Sequence, residues 1–246
     1  MTELSRYPHV LLLPGNMCDA RLWTGGGGII GQAIEALGYN VDSVNFSDDA
    51  TIEAMASRVL DMHEGAVIPF GFSMGGIVAL EMCRQAPTRI AALGLIDTTY
   101  KPDTRGTERL RQQEDVRQGQ LEHVVTHELK PNYLAKCHAE NGELLALLCD
   151  MAMTLGPEIF IAQSEALRTR EDQTLTITGL EMPVFLACGA EDALCPPDLH
   201  RAMAGKITQA HLHIIQDAGH ILPLEQPLIL TNLLAHFLTS TLGNKP

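Results

Sequence analysis

Three side chains that could act together in catalysis follow short apolar runs of the sequence. Ser73, Asp192 and His220 each come within a few residues of the end of such a run. A serine hydroxyl becomes a nucleophile when a histidine accepts its proton and a carboxylate orients that histidine. The residue types therefore indicate an activated serine, provided that the fold brings the three side chains together.

The surroundings of Ser73 favour a nucleophile over a plain turn residue. The segment 71–75, GFSMG, fits the pattern G-x-S-x-G, and Gly76 follows it. A strand that turns sharply into a helix holds such a serine in a strained backbone conformation, where side chains two residues before and after it would collide. Gly71 and Gly75 remove those side chains, and Gly76 allows the helix to pack close to a neighbouring strand. The alternative reading is a serine in an ordinary strand-to-helix turn.

The elements that must position these residues alternate between apolar strands and helices. The predicted strands are His9–Leu13, Asn40–Val44, Val67–Phe72, Ala91–Ile96, Val184–Ala187 and Leu212–Ile215. The predicted helices around them are Ile29–Leu37, Ile52–His63, Met74–Gln85, Leu199–Ala204 and Glu225–Leu238. Apolar strands that are each followed by a helix predict a doubly wound parallel sheet, whose ligands bind at the carboxyl ends of the strands.

The strand signal disappears between about Lys101 and Leu180. That region predicts helices over Thr104–Gln118, Gln120–Leu129, Gly142–Leu155 and Pro157–Thr169. Because the sheet resumes afterwards, we predict a core domain made of residues 1–100 and 181–246, with a helical cap at 101–180 inserted in it.

With these motifs the sequence resembles the α/β-hydrolase superfamily over nearly its whole length, and its carboxylesterase-like members in particular. GFSMGG is similar to the nucleophile elbow of that superfamily. Residues 189–197 are similar to its acid loop, G-x-x-D-x-x-x-P-P, and residues 219–227 to its histidine loop, G-H-x-x-x-x-E-x-P. The chain order Ser73, Asp192, His220 is also the order of the superfamily.

The resemblance implies an α/β-hydrolase fold. The loop that corresponds to the oxyanion loop arrives already at Pro14, which leaves too little chain for two further strands before it. We therefore expect a reduced sheet of about six strands, all of them parallel.

The resemblance also implies roles for individual residues. Ser73 is the nucleophile, His220 the general base and acid, and Asp192 the carboxylate that orients the imidazole. The oxyanion hole is formed by the backbone N–H groups of Met74 and Asn16; the superfamily usually has His-Gly where this chain has Pro-Gly before Asn16.

The identity of the acid has rivals. Asp97 ends the preceding predicted strand, and some members of the superfamily take their acid from that position. Asp192 has the matching local motif and is preferred, whereas Glu191 is expected to point away and Asp217 to shape its own loop.

An activated serine without a metal motif predicts acyl transfer to water, the hydrolysis of an ester, thioester or lactone. The dehalogenases and epoxide hydrolases of the superfamily need an aspartate where this chain has Ser73. Met17 and Met74 beside the nucleophile, together with the apolar cap, favour a small to medium, mostly apolar substrate with a neutral acyl group. The candidates for the substrate pocket are Met17, Leu148, Met151 and Ile221.

Other uses of the same triad stay open. Lyases and synthases of the menaquinone pathway resemble S-M-G-G-R at the elbow, where this chain has Ile77 instead of arginine. Carbon–carbon hydrolases usually carry tryptophan after the histidine, where this chain has Ile221. A hydrolase-like receptor that closes its cap on a small molecule is a third alternative.

Composition restricts the partners. The net charge of −13 argues against nucleic acid and anionic membranes, since both need a basic patch. The six cysteines show no zinc spacing and no CxxC pair, so no metal is expected, and the sequence implies no cofactor.

The apolar run Val10–Leu13 before Pro14 is too short for the hydrophobic region of a signal sequence. No window approaches the roughly 20 apolar residues of a membrane span. We therefore expect a cytoplasmic protein that acts on a small molecule, either as a monomer or as a homodimer.

Overall fold

A central sheet of parallel strands organises the computed structural model, which describes residues 8–129 and 133–242. Its six strands are β1 (His9–Leu13), β2 (Val41–Ser43), β3 (Val67–Phe72), β4 (Leu93–Ile96), β5 (Val184–Gly189) and β6 (Ala210–Ile215). They lie in the order β2-β1-β3-β4-β5-β6, and every neighbouring pair is parallel. The predicted six-stranded parallel sheet is confirmed.

The strands are apolar throughout because both faces of the sheet are buried. Along β1, Val10 and Leu12 join one apolar cluster, whereas Leu11 and Leu13 join the cluster on the other face. Successive side chains of a strand point to opposite faces, so the run of leucines supplies both cores at once.

Helices cover both faces. They are α1 (Gly25–Ala36), α2 (Ile52–Met62), α3 (Met74–Gln85), and, after β5, α8 (Pro197–Ala204), α9 (Leu222–Glu225) and α10 (Pro227–Leu242). Helices α1 and α10 pack together on one face, and α2 and α3 on the other. The Thr51 hydroxyl caps α2 by accepting the N–H of Ala54 at 3.1 Å, which fixes where that helix begins.

The segment between β4 and β5 is helical, as predicted. It contains α4 (Gly106–Arg117), α5 (Leu121–His123) continuing as a π-helix (Val124–Leu129), α6 (Gly142–Thr169) and α7 (Thr174–Thr178). Leu148 and Met151 of α6 lie in the same apolar cluster as Ile30 and Phe237 of the sheet-covering helices. The division into a core and a cap stays a prediction.

Helix α6 corrects one expectation. It spans 28 residues with a mean hydropathy of 1.7 over its most apolar window, so by length and composition alone it could cross a membrane. Its backbone is interrupted, however, because Gly156 has φ 83° and ψ 177° and Pro157 follows it. Each half is shorter than the roughly 20 residues that a span needs. The two halves correspond to the two helices predicted from the sequence.

Several boundaries differ from the predicted ones. β6 begins at Ala210 rather than Leu212, and β2 is shorter at both ends. The last predicted helix is divided into α9 and α10 because Pro227 starts a new first turn, a position that tolerates its missing N–H.

Candidate active site

The structure brings Ser73, His220 and Asp192 into one hydrogen-bonded chain. Nε2 of His220 lies 3.0 Å from the Ser73 hydroxyl, and Nδ1 lies 2.9 Å from Oδ2 of Asp192. Asp192 and His220 are buried, whereas Ser73 is partly exposed. A base is thus held between a hydroxyl that can meet a ligand and a carboxylate shielded from water.

Ser73 occupies the strained turn that its glycines predict. Its φ of 50° and ψ of −114° are uncommon for a residue with a side chain. A Cβ on Gly71 would overlap the carbonyl of Gly75, and a Cβ on Gly76 would lie 2.5 Å from Oγ1 of Thr98. That hydroxyl donates to the Ser73 carbonyl at 2.6 Å, which ties the turn to the end of β4. Backbone packing therefore requires glycine on both sides of the serine.

Asp192 is fixed by its own loop as well as by the imidazole. Its Oδ1 accepts the N–H groups of Leu194 at 2.8 Å and of Cys195 at 2.9 Å. Burial alone would raise the pKa of the Asp192 carboxyl, but His220 and these two N–H groups outweigh it and lower the pKa. The carboxylate is therefore ionised at neutral pH and faces the imidazole.

Asp97, the rival acid, faces backbone groups instead. It is fully buried, and its two oxygens accept the N–H of Gly189 at 2.9 Å and the N–H of Leu222 at 3.2 Å. Burial and the nearby Asp192 raise its pKa well above the usual value. Asp97 thus joins the end of β5 to the loop after β6, and no hydrogen bond joins it to His220 within the described residues.

Glu225 shapes the histidine loop from beneath. Its Oε1 accepts the N–H groups of Gly219 at 2.9 Å and Ile221 at 3.1 Å, on either side of His220. Its Oε2 accepts the N–H of Ala135, in the segment between β4 and β5, at 2.7 Å. The sequence motif included this glutamate without indicating what it binds.

The candidate oxyanion donors lie beside the serine. Met74 is the first residue of α3, so its N–H belongs to the unpaired donors at the positive end of a helix. Asn16 lies in the turn after β1 and lines the same cavity as Ser73. Within the residues that the structure describes, neither N–H has a hydrogen-bond partner. Both are therefore available to a ligand.

A cavity of about 350 Å³ opens beside Ser73 and His220, within the usual size range of small-molecule sites. Most of its charged and amide lining comes from the loop after β4 and the start of α4: Lys101, Asp103, Arg105, Glu108, Arg109 and Gln112. Asn16 and Arg170 are added from elsewhere in the chain. Its apolar lining includes Ile77, Leu129, Leu167 and Leu194. The lining is mixed, which differs from the mostly apolar pocket expected from the sequence.

The four predicted pocket residues lie elsewhere. Met17, Leu148, Met151 and Ile221 are fully buried in the apolar core, and none of them lines the cavity. Met17 is turned inward by a left-handed backbone with φ 52°, and its N–H donates to Oε1 of Gln163 in α6 at 2.8 Å. In this structure these four residues do not contact the cavity beside the serine, and a part for them in substrate binding stays a prediction.

The sequence analysis did not predict the polar wall of the cavity, which is formed by Asp103, Arg109 and Arg170. Oδ1 of Asp103 accepts Nε of Arg109 at 3.2 Å and Nη1 of Arg170 at 3.0 Å. One signal was present in the composition of α4, where Leu110 and Val116 are the only large apolar side chains. A helix with so little apolar surface buries polar groups when it packs against others.

The chain offers one group of side chains with metal-ligand geometry in its described part. Ligand atoms of Asp192, Cys195 and His220 lie within 4.8 Å of one another. Asp192 and His220 bind each other, however, and burial raises the pKa of the Cys195 thiol well above its usual value. A neutral thiol beside a carboxylate and an imidazole that already bind each other is a poor metal site.

Comparison with known proteins places the chain among similar folds. The family model described as "Alpha/beta hydrolase family" matches residues 10–231. A thermophilic esterase from Thermogutta terrifontis, solved with malate bound, is 27% identical with a TM-score of 0.84, covering 96% of this chain and 90% of its own. The enol-lactonase from Burkholderia xenovorans LB400 is 20% identical with a TM-score of 0.82, covering 96% of this chain and 92% of its own. No curated protein sequence matches significantly.

Proposed function

The chain belongs to the alpha/beta hydrolase family, and from this premise we propose that it is a serine hydrolase that cleaves an ester, thioester or lactone through an acyl-enzyme on Ser73. The observation that carries the proposal is the hydrogen-bonded chain from Ser73 through His220 to Asp192, with distances of 3.0 and 2.9 Å. The esterase and the enol-lactonase of similar fold support a carboxylic ester or lactone as the substrate.

In the first half of the reaction, Oγ of Ser73 attacks the carbonyl carbon while its proton passes to Nε2 of His220. The N–H groups of Met74 and Asn16 stabilise the negative charge on the carbonyl oxygen, and each such donor contributes on the order of 3 kcal/mol. The bond to the leaving oxygen or sulfur then breaks, and His220 returns the proton to that atom. The acyl group remains on Ser73.

Water completes the cycle. It attacks the acyl carbon and gives its proton to His220, and the bond to Oγ breaks as His220 reprotonates Ser73. Asp192 holds the imidazole so that Nε2 faces the serine and stabilises the positive charge that the ring carries in both halves.

Active-site labelling combined with turnover tests the proposal. We expect a fluorophosphonate to label the wild-type chain at Ser73 and p-nitrophenyl esters of increasing chain length to be hydrolysed. Ser73→Ala abolishes both, whereas Ser57→Ala, at an exposed serine of α2, leaves both unchanged.

Labelling that survives Ser73→Ala contradicts the nucleophile assignment. Labelling without turnover of any ester favours a lyase, synthase or carbon–carbon hydrolase reaction at the same triad, or a receptor that binds its ligand without cleaving it.

A further inference from the structure

Arg109 lines the cavity that contains Ser73 and has hydrogen-bond donors that no group of the described residues uses. It is 6% exposed and belongs to the cavity lining, although arginine is rarely buried to this extent without full pairing. Its Nε donates to Asp103 at 3.2 Å. Across residues 8–129 and 133–242, its Nη1 and Nη2 atoms have no hydrogen-bond partner. The planar edge of the guanidinium is therefore available to a ligand.

Arg170, the second arginine of this wall, has a side chain that is 10% exposed and is committed to the protein. Its Nη1 donates to Oδ1 of Asp103 and to the carbonyl of Leu167, both at 3.0 Å. Its Nε donates to the carbonyl of Lys101 at 2.9 Å. Arg170 thus holds the loop after β4 in place, and Arg109 is the one with donors to spare.

The buried charges of this wall do not balance. Two guanidinium groups, Arg109 and Arg170, share the single carboxylate of Asp103, which leaves one positive charge. The second oxygen of Asp103 accepts the backbone N–H of Arg105 at 3.2 Å and is also occupied. Glu108 lines the cavity as well, but it is exposed, and water and salt screen its charge.

The pKa of Arg109 is consistent with this excess of positive charge. Burial lowers the pKa of its guanidinium below the usual value, even though Asp103 acts in the opposite direction. A buried charge that is only partly compensated gains more from a further anion than an exposed one does.

We propose that Arg109 binds a carboxylate of the substrate, so that the preferred ester, thioester or lactone carries an unesterified carboxylate. This substrate class rests on the proposed serine hydrolase function. A carboxylate matches the two Nη groups in a bidentate arrangement and supplies the one negative charge that the wall lacks. The substrate is thus a charged small molecule rather than the mostly apolar one expected from the sequence.

Two matched pairs of esters test the preference, with the carboxylate on either side of the bond that is cleaved. On the acyl side, p-nitrophenyl hydrogen adipate is compared with p-nitrophenyl heptanoate. On the leaving-group side, 4-carboxyphenyl butanoate is compared with 4-carbamoylphenyl butanoate. We expect the wild-type kcat/KM to favour the charged member of at least one pair by about tenfold to a hundredfold, the range of a charged hydrogen bond.

Variants at α4 assign the preference to Arg109. Arg109→Gln abolishes it, and Arg109→Lys, which keeps the charge without the planar fork, retains part of it. Arg111→Gln is the matched control, because Arg111 is exposed on the same helix and pairs with Asp115 and Glu128. Circular dichroism checks that each variant is folded; Asp103 keeps Arg170 as its partner in the variants of Arg109.

Two results overturn the inference: a wild-type enzyme that does not favour the charged member of either pair, or an Arg109→Gln variant with the wild-type ratio. If no ester is turned over and Ser73 is not labelled, the proposed function fails, and the carboxylate site is tested alone. Adipate is then titrated by calorimetry into Ser73→Ala and into Ser73→Ala/Arg109→Gln. Binding that is lost in the double variant supports the site, whereas equal affinities or no binding to either overturn it.

Discussion

Asp192 and Asp97 are two buried carboxylates near each other, and they differ in what they contact. Oδ2 of Asp192 is hydrogen-bonded to the imidazole of His220, and its Oδ1 accepts two backbone N–H groups. Asp97 receives only backbone N–H groups, one from the end of β5 and one from the loop after β6. Burial raises the pKa of Asp97, whereas His220 outweighs burial at Asp192 and lowers its pKa. Both carboxylates are buried, so their hydrogen-bond partners distinguish them. Asp192 contacts the imidazole, whereas Asp97 joins two loops.

Asparagine substitutions distinguish the roles of Asp192 and Asp97. Asp192→Asn is expected to lower kcat by about 10⁴-fold, because the amide favours the wrong imidazole tautomer and carries no charge to stabilise the imidazolium. Asp97→Asn is expected to lower stability by about 1–3 kcal/mol, because one buried N–H loses its acceptor, with a much smaller change in kcat. Ester hydrolysis normalised to the folded fraction measures the first effect, and urea unfolding the second. A larger loss of kcat in Asp97→Asn would transfer the acid to that residue.

The sequence predicted the meeting of Ser73, Asp192 and His220 but not the walls around them. Each of the three follows a strand within a local motif, and the carboxyl ends of parallel strands meet at one edge of the sheet. Arg109 and Arg170 meet through Asp103 only when α4 packs against α6, and no local pattern encodes that packing. Their distance along the chain is why the polar wall was missed.

At the scale of elements, the site lies where the strand order reverses. The chain runs from β1 outward to β2 and returns to β3 on the other side of β1, so the helices that follow β1 and β3 cover opposite faces of the sheet. The loop after β1 carries Asn16, and the loop after β3 carries Ser73 and Met74. They approach so closely that a Cβ on Gly75 would overlap the carbonyl of Leu13 and lie 2.6 Å from the carbonyl of Pro14.

Gly75→Ala tests this contact. The added methyl meets backbone rather than a flexible side chain, so the loop after β1 must shift and carry the N–H of Asn16 away from Ser73. Displacing one oxyanion donor is expected to lower kcat by about 10²-fold to 10³-fold. Steady-state hydrolysis of a p-nitrophenyl ester measures this loss.

Gly31→Ala is the matched control for that substitution. Gly31 lies within α1, and nothing is within 4 Å of its added methyl. It should raise the free energy of unfolding by about 0.5–1 kcal/mol through helix propensity, without changing kcat. Equal activity in the two alanine variants would contradict the close approach of the two loops.

Over the whole molecule, acidic groups outnumber basic ones, with 30 Asp and Glu against 17 Lys and Arg. Such a charge repels anions at long range, but physiological salt screens exposed charges beyond about 8 Å. The balance of the whole chain therefore does not determine which ligand the cavity accepts. The proposed carboxylate site depends instead on the few buried charges around the cavity, and buried titratable groups also control how stability varies with pH.

His200 makes the free energy of unfolding depend on pH. It is fully buried, its Nε2 accepts the N–H of Thr98 at 3.2 Å, and burial lowers its pKa to about 4 from the usual 6.5. Between these two pH values the unfolded chain binds a proton at this residue and the folded chain does not. The free energy of unfolding is therefore highest above pH 6.5 and decreases as the pH falls towards 4. Between pH 7.5 and pH 5, the loss from this residue is expected to be about 2 kcal/mol.

Urea unfolding of the wild type and of His200→Gln at both pH values measures this contribution. The variant keeps an acceptor for Thr98 but cannot be protonated, so its stability should fall by about 2 kcal/mol less than that of the wild type. The same fall in both proteins would show that other groups cause the pH dependence.

The segment Tyr133–Ala135 is hydrogen-bonded to the loop that carries His220. The Tyr133 carbonyl accepts the N–H of His220 at 2.6 Å, and Glu225 holds Ala135 with the same carboxylate that holds Gly219. A Cβ on Gly219 would lie 2.5 Å from that carbonyl, so the two backbones are in direct contact. Tyr133 also lines the cavity, so the same backbone segment forms part of the cavity wall and supports His220. A displacement of Tyr133 would therefore also displace the backbone of His220, so the shape of the cavity and the alignment of the imidazole with Ser73 are coupled.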